Sequence, residues 1–193
     1  MGSKGLTKEL IVAEAVALIR ENQRPELSLH ELARRLGIKA PSLYNHIKST
    51  KELQQAVFQC AIDEFVSNQK SATEGKHRDE AVRAFATAYF SFAAENKGLY
   101  KLIMTMPSEE DDIQKEMAVP LLSLVVSMLS EYSLPDESIA HWQRVFRAIL
   151  HGFISQELMG YFYYYEDIDL KKSQDIAVQC FIDGIHSQTD SHF

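Results

Sequence analysis

The sequence predicts an all-α chain in which a small N-terminal three-helix head is joined by one long helix to a larger helical body. Three observations predict it. Apolar residues recur at i, i+3, i+4 and i+7 along most of the 193 residues. Alternation of apolar and polar residues nowhere persists over five positions with turn residues on both sides, as a half-buried strand requires. Helix starts are also written in local chemistry. Ser28 with Glu31, and Ser49 with Glu52, have the spacing of capping boxes, in which the serine oxygen accepts a backbone N–H and the glutamate reaches back to another.

Thr7 is the expected N-cap of a first helix that runs to about Asn22, with Ile11, Ala15, Leu18 and Ile19 inward. The loop Gln23 to Leu27, with Pro25, closes it. Ser28 then opens a second helix whose Leu29, Leu32, Ala33 and Leu36 form one apolar face. Gly37 stands where a left-handed residue ends a helix, Ile38 can be buried in the turn, and Pro41 suits the first turn of a third helix. That helix covers about Ala40 to His46, with Leu43 and Ile47 inward. A long helix follows from Ser49 to roughly Gln69, with Leu53, Ala56, Val57, Cys60 and Phe65 as its stripe. The polar stretch Ser67 to His77 is the expected boundary at its end.

The body continues as a helix from Arg78 to Asn96, stopped by Lys97-Gly98, and a short helix from Leu99 to Met104 before Pro107. An acidic loop, Glu109 to Asp112, leads to a helix that Pro120 kinks or restarts. Two further helices are expected over Asp136 to Tyr163 and Leu170 to Ser187, with the aromatic run Phe162 to Tyr165 kept helical. The division into domains is thus a helix-turn-helix unit at 1–50 and a helical domain at 51–193, with the connecting helix at about 49–69.

Composition excludes several functions. The longest apolar candidate, Val119 to Leu129, is interrupted by Ser123 and Ser127, so no membrane span is expected. The first residues hold no signal-peptide core, which makes the cytoplasm the expected compartment. Cys60 and Cys180 lack partners at metal-ligand spacing and are expected as two reduced, buried thiols. No metal, cofactor or catalytic motif is expected: there is no phosphate loop, nucleophile elbow or H-E-x-x-H spacing. The net charge of −7 is unevenly spread. From Met1 to Leu53 there are nine Lys and Arg against six acids, and the excess of acid lies beyond them. A basic head on an acidic body is what a local nucleic-acid footprint requires.

The third helix supplies the footprint. Its outward residues are small and polar, a surface that fits the major groove of duplex DNA, where each base pair shows a distinct pattern of donors and acceptors. Lys39, Ala40, Ser42 and Asn45 are placed for base edges, Asn45 suiting adenine and Lys39 guanine. Thr7, Ser28, Tyr44, His46 and Lys51 sit at helix starts or on the outer edge, where hydroxyls, N–H groups and charge meet phosphates.

Over about fifty residues this pattern resembles the TetR family of bacterial regulators, through Leu36-Gly37-Ile38, Leu43-Tyr44-Asn45-His46-Ile47 and Lys51. The segment Glu95 to Met104 resembles the family as well, and His151-Gly152 resembles the histidine-glycine pair of its WHG-type branch. Two residues depart from the pattern: Ile47 replaces a more usual phenylalanine, and Lys39 stands where a serine cap is common. The resemblance implies a homodimeric repressor that binds a palindromic operator in double-stranded DNA and is released by a small-molecule effector. A helical ligand carrier that does not read DNA is the alternative.

In the body, apolar residues on more than one face of the last two helices require cover on both sides. Leu150, Ile176, Phe181 and Ile185 are the expected contacts of a four-helix dimer interface. Phe85, Tyr89, Phe92, Tyr100, Met104, Trp142, Phe146 and Phe153, with Met106 and Tyr161, are the pool from which a largely apolar effector pocket would be lined. Glu157, four residues after Phe153, can face the same interior and attract a cation.

Overall fold

The structure, a computed structural model, describes residues 5–104, 112–165 and 167–190, and no strand occurs among them. Eight α-helices follow in order: α1 Lys8–Asn22, α2 Leu29–Arg35, α3 Thr50–Thr73, α4 Arg78–Glu95, α5 Lys97–Met104, α6 Asp112–Ser130, α7 Asp136–Leu158 and α8 Leu170–Asp190. Two short 3-10 helices, Ala40–Asn45 and Tyr163–Tyr165, stand between α2 and α3 and between α7 and α8. Met106, Pro107 and most of the acidic loop before α6 lie outside the described residues.

The chain forms two compact units. One comprises Met1–Phe65 with Glu95–Ala118, the other Val66–Ala94 with Val119–Phe193. The first is built on α1, which packs against both α2 and α5. Ile11, Ala15 and Ile19 of α1, Leu32 of α2, Leu43, Leu53 and Ile62, and Leu99 and Tyr100 of α5 are all at most 1% exposed. Gly98 is the point of closest approach. A Cβ there would lie 2.4 Å from the Ile19 carbonyl oxygen and 2.9 Å from the Arg24 nitrogen, both backbone atoms. The expectation that Lys97-Gly98 stops α4 is therefore corrected: both residues belong to α5, and glycine is required by the neighbouring backbone rather than by a left-handed turn.

The local start and stop signals act as the residues suggest. Thr7 accepts from the Leu10 N–H at 3.3 Å, Ser28 from Glu31 at 3.3 Å and Ser49 from Glu52 at 3.1 Å. Glu52 returns its carboxylate to the N–H of Lys48, one residue before the cap. Gly37 takes φ 69°, with Ile38 N–H bonded to the Ala33 carbonyl and Gly37 N–H to that of Arg34, the two bonds of a Schellman ending. Ile38 is half-buried there.

Three expected elements change. The third helix is 3-10, because Lys39 offers no side-chain cap, Pro41 occupies the first turn, and six residues leave little room for i→i+4 bonding. α3 continues through the polar stretch to Thr73. α7 stops at Leu158, since Gly160 at φ 76° ends it with a second Schellman pair, Tyr161 N–H to Gln156 and Gly160 N–H to Glu157. The aromatic run beyond is a connector closed by a single 3-10 turn.

The second unit is centred on aromatic contacts. Phe146 stacks on Phe181 with ring centroids 4.5 Å apart and meets Phe85 at 5.6 Å. Trp142 stands edge-on to Phe181 at 5.4 Å and donates its indole N–H to Gln188 at 2.5 Å. Gln69 is fully buried, and its amide bridges α4 by donating to the Phe85 carbonyl at 3.0 Å and accepting from the Tyr89 N–H at 3.2 Å. Asp79 ties α4 to α8 and to the turn after α6, accepting from the Tyr132 hydroxyl at 2.8 Å and meeting His186 Nε2 at 2.9 Å. Burial works against its charge, yet the bonds from His186 and Tyr132 hold the carboxyl below its usual range. The same burial and the carboxylate push the Tyr132 hydroxyl strongly up.

Candidate nucleic-acid interface

The 3-10 turn presents its polar residues outward. Leu43 and Ile47 are 0% and 2% exposed, anchoring the turn on α2 and the core, and this leaves Lys39, Tyr44, Asn45 and His46 exposed. Ala40 and Ser42 are half-buried on the same turn. The Tyr44 hydroxyl lies 3.3 Å from Thr50 Oγ1, which ties the tip of the turn to the start of α3. Lys51 is exposed on the first turn of α3. Thr7 and Ser28 are exposed too, their oxygens already engaged as caps, so at these helix starts the amides not used by the cap are the donors left for an anion.

Several basic residues of the head are spent within it. Arg35 bonds to Glu21 and pairs with Glu14, Arg20 grips Glu64 at 2.6 Å and Asn96 at 2.9 Å, and Lys8 reaches Glu52 at 2.7 Å. The Lys8 contact comes first among those that hold the Glu52 carboxyl below its usual range, followed by the Lys48 N–H. Lys39, Lys48 and Lys51 are all exposed on the 3-10 turn and at the start of α3. Lys48 counts with Lys39 and Lys51 against the carrier alternative but is not among the residues expected to contact DNA. The structure leaves it exposed between the 3-10 turn and α3.

The second unit carries a cleft of about 580 Å³. Arg83, Ala86, Thr87, Phe90, Ser91 and Ala94 of α4 form one side, Glu157 of α7 one end, and Lys171, Gln174, Asp175 and Val178 of α8 the other side. Lys171 is paired with Asp175 at 2.8 Å, and Arg83 donates to Gln179. Of the residues expected to line a pocket, Glu157 is the one at this cleft. Phe153 is half-buried behind it, edge-on to Phe90 at 6.2 Å. Phe85, Tyr89, Phe92 and Phe146 are core residues of this unit, and Trp142 is half-buried beside them. Tyr100, buried, and Met104, half-buried, belong to the other unit. The lining polar residues escaped sequence reasoning because each reads singly as a solvated helix face.

Two further expectations are corrected. Leu150, Phe181 and Ile185 are at most 2% exposed within a single chain, because α7 and α8 turn that face onto each other and the core; Ile176, at 56%, is the exposed member of the expected interface set. Cys60 and Cys180 are free as expected but exposed, each on the outward side of its helix. No group of residues fit to hold a metal ion occurs among the described residues, and no helix among them is long and apolar enough to cross a membrane.

Comparison with known proteins agrees with this geometry. A family model described as the tetracyclin repressor-like C-terminal domain matches residues 82–181. An uncharacterized HTH-type transcriptional regulator of Mycobacterium tuberculosis is 34% identical over 165 residues, covering 85% of this chain and 74% of that protein. Among solved structures, a protein of unknown function from Rhodococcus sp. RHA1 superposes with a TM-score of 0.78 at 20% identity, over 94% of this chain and 96% of that one. The Streptomyces coelicolor TetR family protein ActR, in complex with (S)-DNPA, superposes at 0.63 with 16% identity, over 95% and 98%. A 3-10 turn with exposed polar residues on a three-helix head, an all-helical second unit and these matches together place the chain in the TetR family of DNA-binding transcriptional regulators.

Proposed function

We propose that this regulator is a homodimeric repressor of a palindromic operator, released by a small molecule that binds the cleft of the second unit. The observation that carries the reading is the 3-10 turn, whose exposed Lys39, Tyr44, Asn45 and His46 stand on a buried Leu43–Ile47 anchor. Lys39, Ala40, Ser42 and Asn45 read base edges, while Thr7, Ser28, Tyr44, His46 and Lys51 hold phosphates. Two copies joined through the outward faces of α7 and α8, where Val145 and Ile176 are exposed, set the recognition turns about 34 Å apart, one turn of B-DNA. In this reading residues 1–50 are the DNA-binding domain and residues 51–193 the effector and dimer domain, working in the cytoplasm by binding alone, with no catalysis.

The effector is an organic molecule with an apolar body, which Phe90, Ala86 and Val178 would cover, and a cationic group near Glu157, the acid of the cleft that no described ion pair engages. A small molecule bound to the family protein ActR supports a site of this kind. Release is a population shift: the effector favours a conformer with displaced recognition turns, by as much as its affinities for the two conformers differ. Fluorescence anisotropy against the DNA upstream of the protein's own gene and against random duplex, at two salt concentrations, tests the reading. Selective, salt-weakened binding with two protomers per site is expected. Equal affinity for both duplexes, with no site recovered by genome-wide selection, would overturn it in favour of a carrier.

A further inference from the structure

We propose that the connector between α7 and α8 is an arm of the homodimer, its exposed Met159, Tyr161, Tyr163, Tyr164 and Ile168 packing against a second copy of this chain. The proposal rests on the homodimer reading above. These five residues are 69%, 62%, 57%, 74% and 60% exposed. Isolated apolar residues on a surface are ordinary, whereas a contiguous patch of several hundred Å² marks an interaction site.

The local structure explains why the patch points outward. Gly160 ends α7 in a left-handed turn, and Phe162 folds inward against Phe153 with ring centroids 5.9 Å apart. With Phe162 turned in, its neighbours Tyr161 and Tyr163 are left facing solvent. The rings of Tyr163 and Tyr164 lie 4.1 Å apart, joined into one apolar surface. A buried aromatic covers about 150–250 Å², so three tyrosines at these exposures offer roughly 300–500 Å². Met159 and Ile168 add to the exposed apolar area of the connector, and Val145 on α7 and Ile176 on α8 are exposed apolar residues as well. Together they approach the roughly 800 Å² that each partner of a stable complex buries. Tyrosine and methionine are also the residues favoured at such contacts. Asp167 and Asp169 flank the patch, which disfavours an anionic lipid surface as its occupant.

Sedimentation equilibrium of the full chain, wild type against Tyr161→Ser/Tyr163→Ser/Tyr164→Ser, tests the arm. A wild-type dimer and a variant whose dimer dissociation constant is at least 100-fold weaker are expected, with the far-UV spectrum and operator selectivity retained at saturating protein. Leu122→Ser/Val126→Ser, on the exposed stripe of α6, should leave the constant unchanged. If the triple variant does not fold, Tyr164→Ser alone decides, with a 10-fold weakening expected. An unchanged constant in the connector variant, or equal weakening in the α6 control, would overturn the arm while leaving the regulator reading intact if operator binding persists. A wild type that stays monomeric at every concentration would overturn the arm and the dimer together. Wild-type binding to vesicles of anionic phospholipid, lost in a triple variant that still dimerises, would assign the patch to lipid instead.

Discussion

Replacing Gly98 with alanine should loosen the seat of α5 on α1, and the structure allows the cost to be worked out. The added Cβ would meet the Ile19 carbonyl oxygen at 2.4 Å and the Arg24 nitrogen and oxygen at 2.9 and 3.1 Å, where ordinary contact begins at 3.4 Å. All three are backbone atoms, so no side chain can swing aside. α5 must retreat by about an ångström, taking with it Leu99 and Tyr100, both at most 1% exposed, and stretching the 2.9 Å bond from Arg20 to Asn96. Overpacking of this kind costs about 1–3 kcal/mol, here at the upper end, while the better helix propensity of alanine returns up to about 1 kcal/mol. A net loss of about 2 kcal/mol corresponds to a fall of roughly 4–8 °C in melting temperature for a chain of this size. Circular dichroism melts measure it directly, and urea titration with an unchanged m value assigns it to stability. Gly184→Ala is the comparison. Its Cβ would meet the Trp142 ring at 2.7 Å, a side chain that can tilt, so its loss should be smaller. A Gly98→Ala protein melting within about 1 °C of wild type would refute the argument, and so would a larger loss from Gly184→Ala.

Other expectations follow from the site and the surface. Lys51→Ala should weaken binding to every duplex and lower the salt slope by about one unit, while Asn45→Ala should relax preference at one base position; anisotropy titrations on operator and random DNA separate the two. Asp79 is held below its ordinary range by His186 and Tyr132 against the opposing effect of burial, so it contributes stability above the unfolded carboxylate value of about 3.9, and that contribution is lost as pH falls through the lower folded value. Asp79→Asn should therefore flatten the acid limb of a melting-temperature profile below about pH 5, and an unchanged limb would remove the role. Burial, with Asp63 and Glu64, pushes the Cys60 thiol up, so a thiol reagent should label Cys60 slowly at neutral pH and faster as pH rises, and a rate that does not change with pH would remove the argument.

What the sequence made legible was local. The Ser28 and Ser49 caps and the Gly37 turn each depend on residues within three or four positions, and the exposed polar face of the 3-10 turn follows from them by geometry. Length and Pro41 decided between α and 3-10 in the recognition turn, a balance of a few hydrogen bonds that periodicity does not record. α7 and α8 show the other limit. A helix apolar on two faces states that both are covered, not by what, and the structure turns Leu150, Phe181 and Ile185 to the chain's own core while Ile176 stays out. The aromatic pool failed as a guide to the cleft for a similar reason: Phe85 and Phe146 fill space against each other, and the cleft is lined by Arg83, Thr87 and Lys171, residues that look ordinary until α4 and α8 are brought together. Pairs such as Asp79 and His186, 107 positions apart, leave no local trace at all.

The unit that carries the recognition turn is drawn from two separate stretches of chain, Met1–Phe65 and Glu95–Ala118. A gene fragment ending after α3 would thus leave α1 without the helix that Ile19 and Arg24 admit so closely, exposing the apolar floor beneath Leu99 and Tyr100. Exchange of specificities between relatives cannot follow a single crossover near residue 50. A chimera that keeps a foreign head stable must bring α5 with it, two exchanged stretches of chain rather than one.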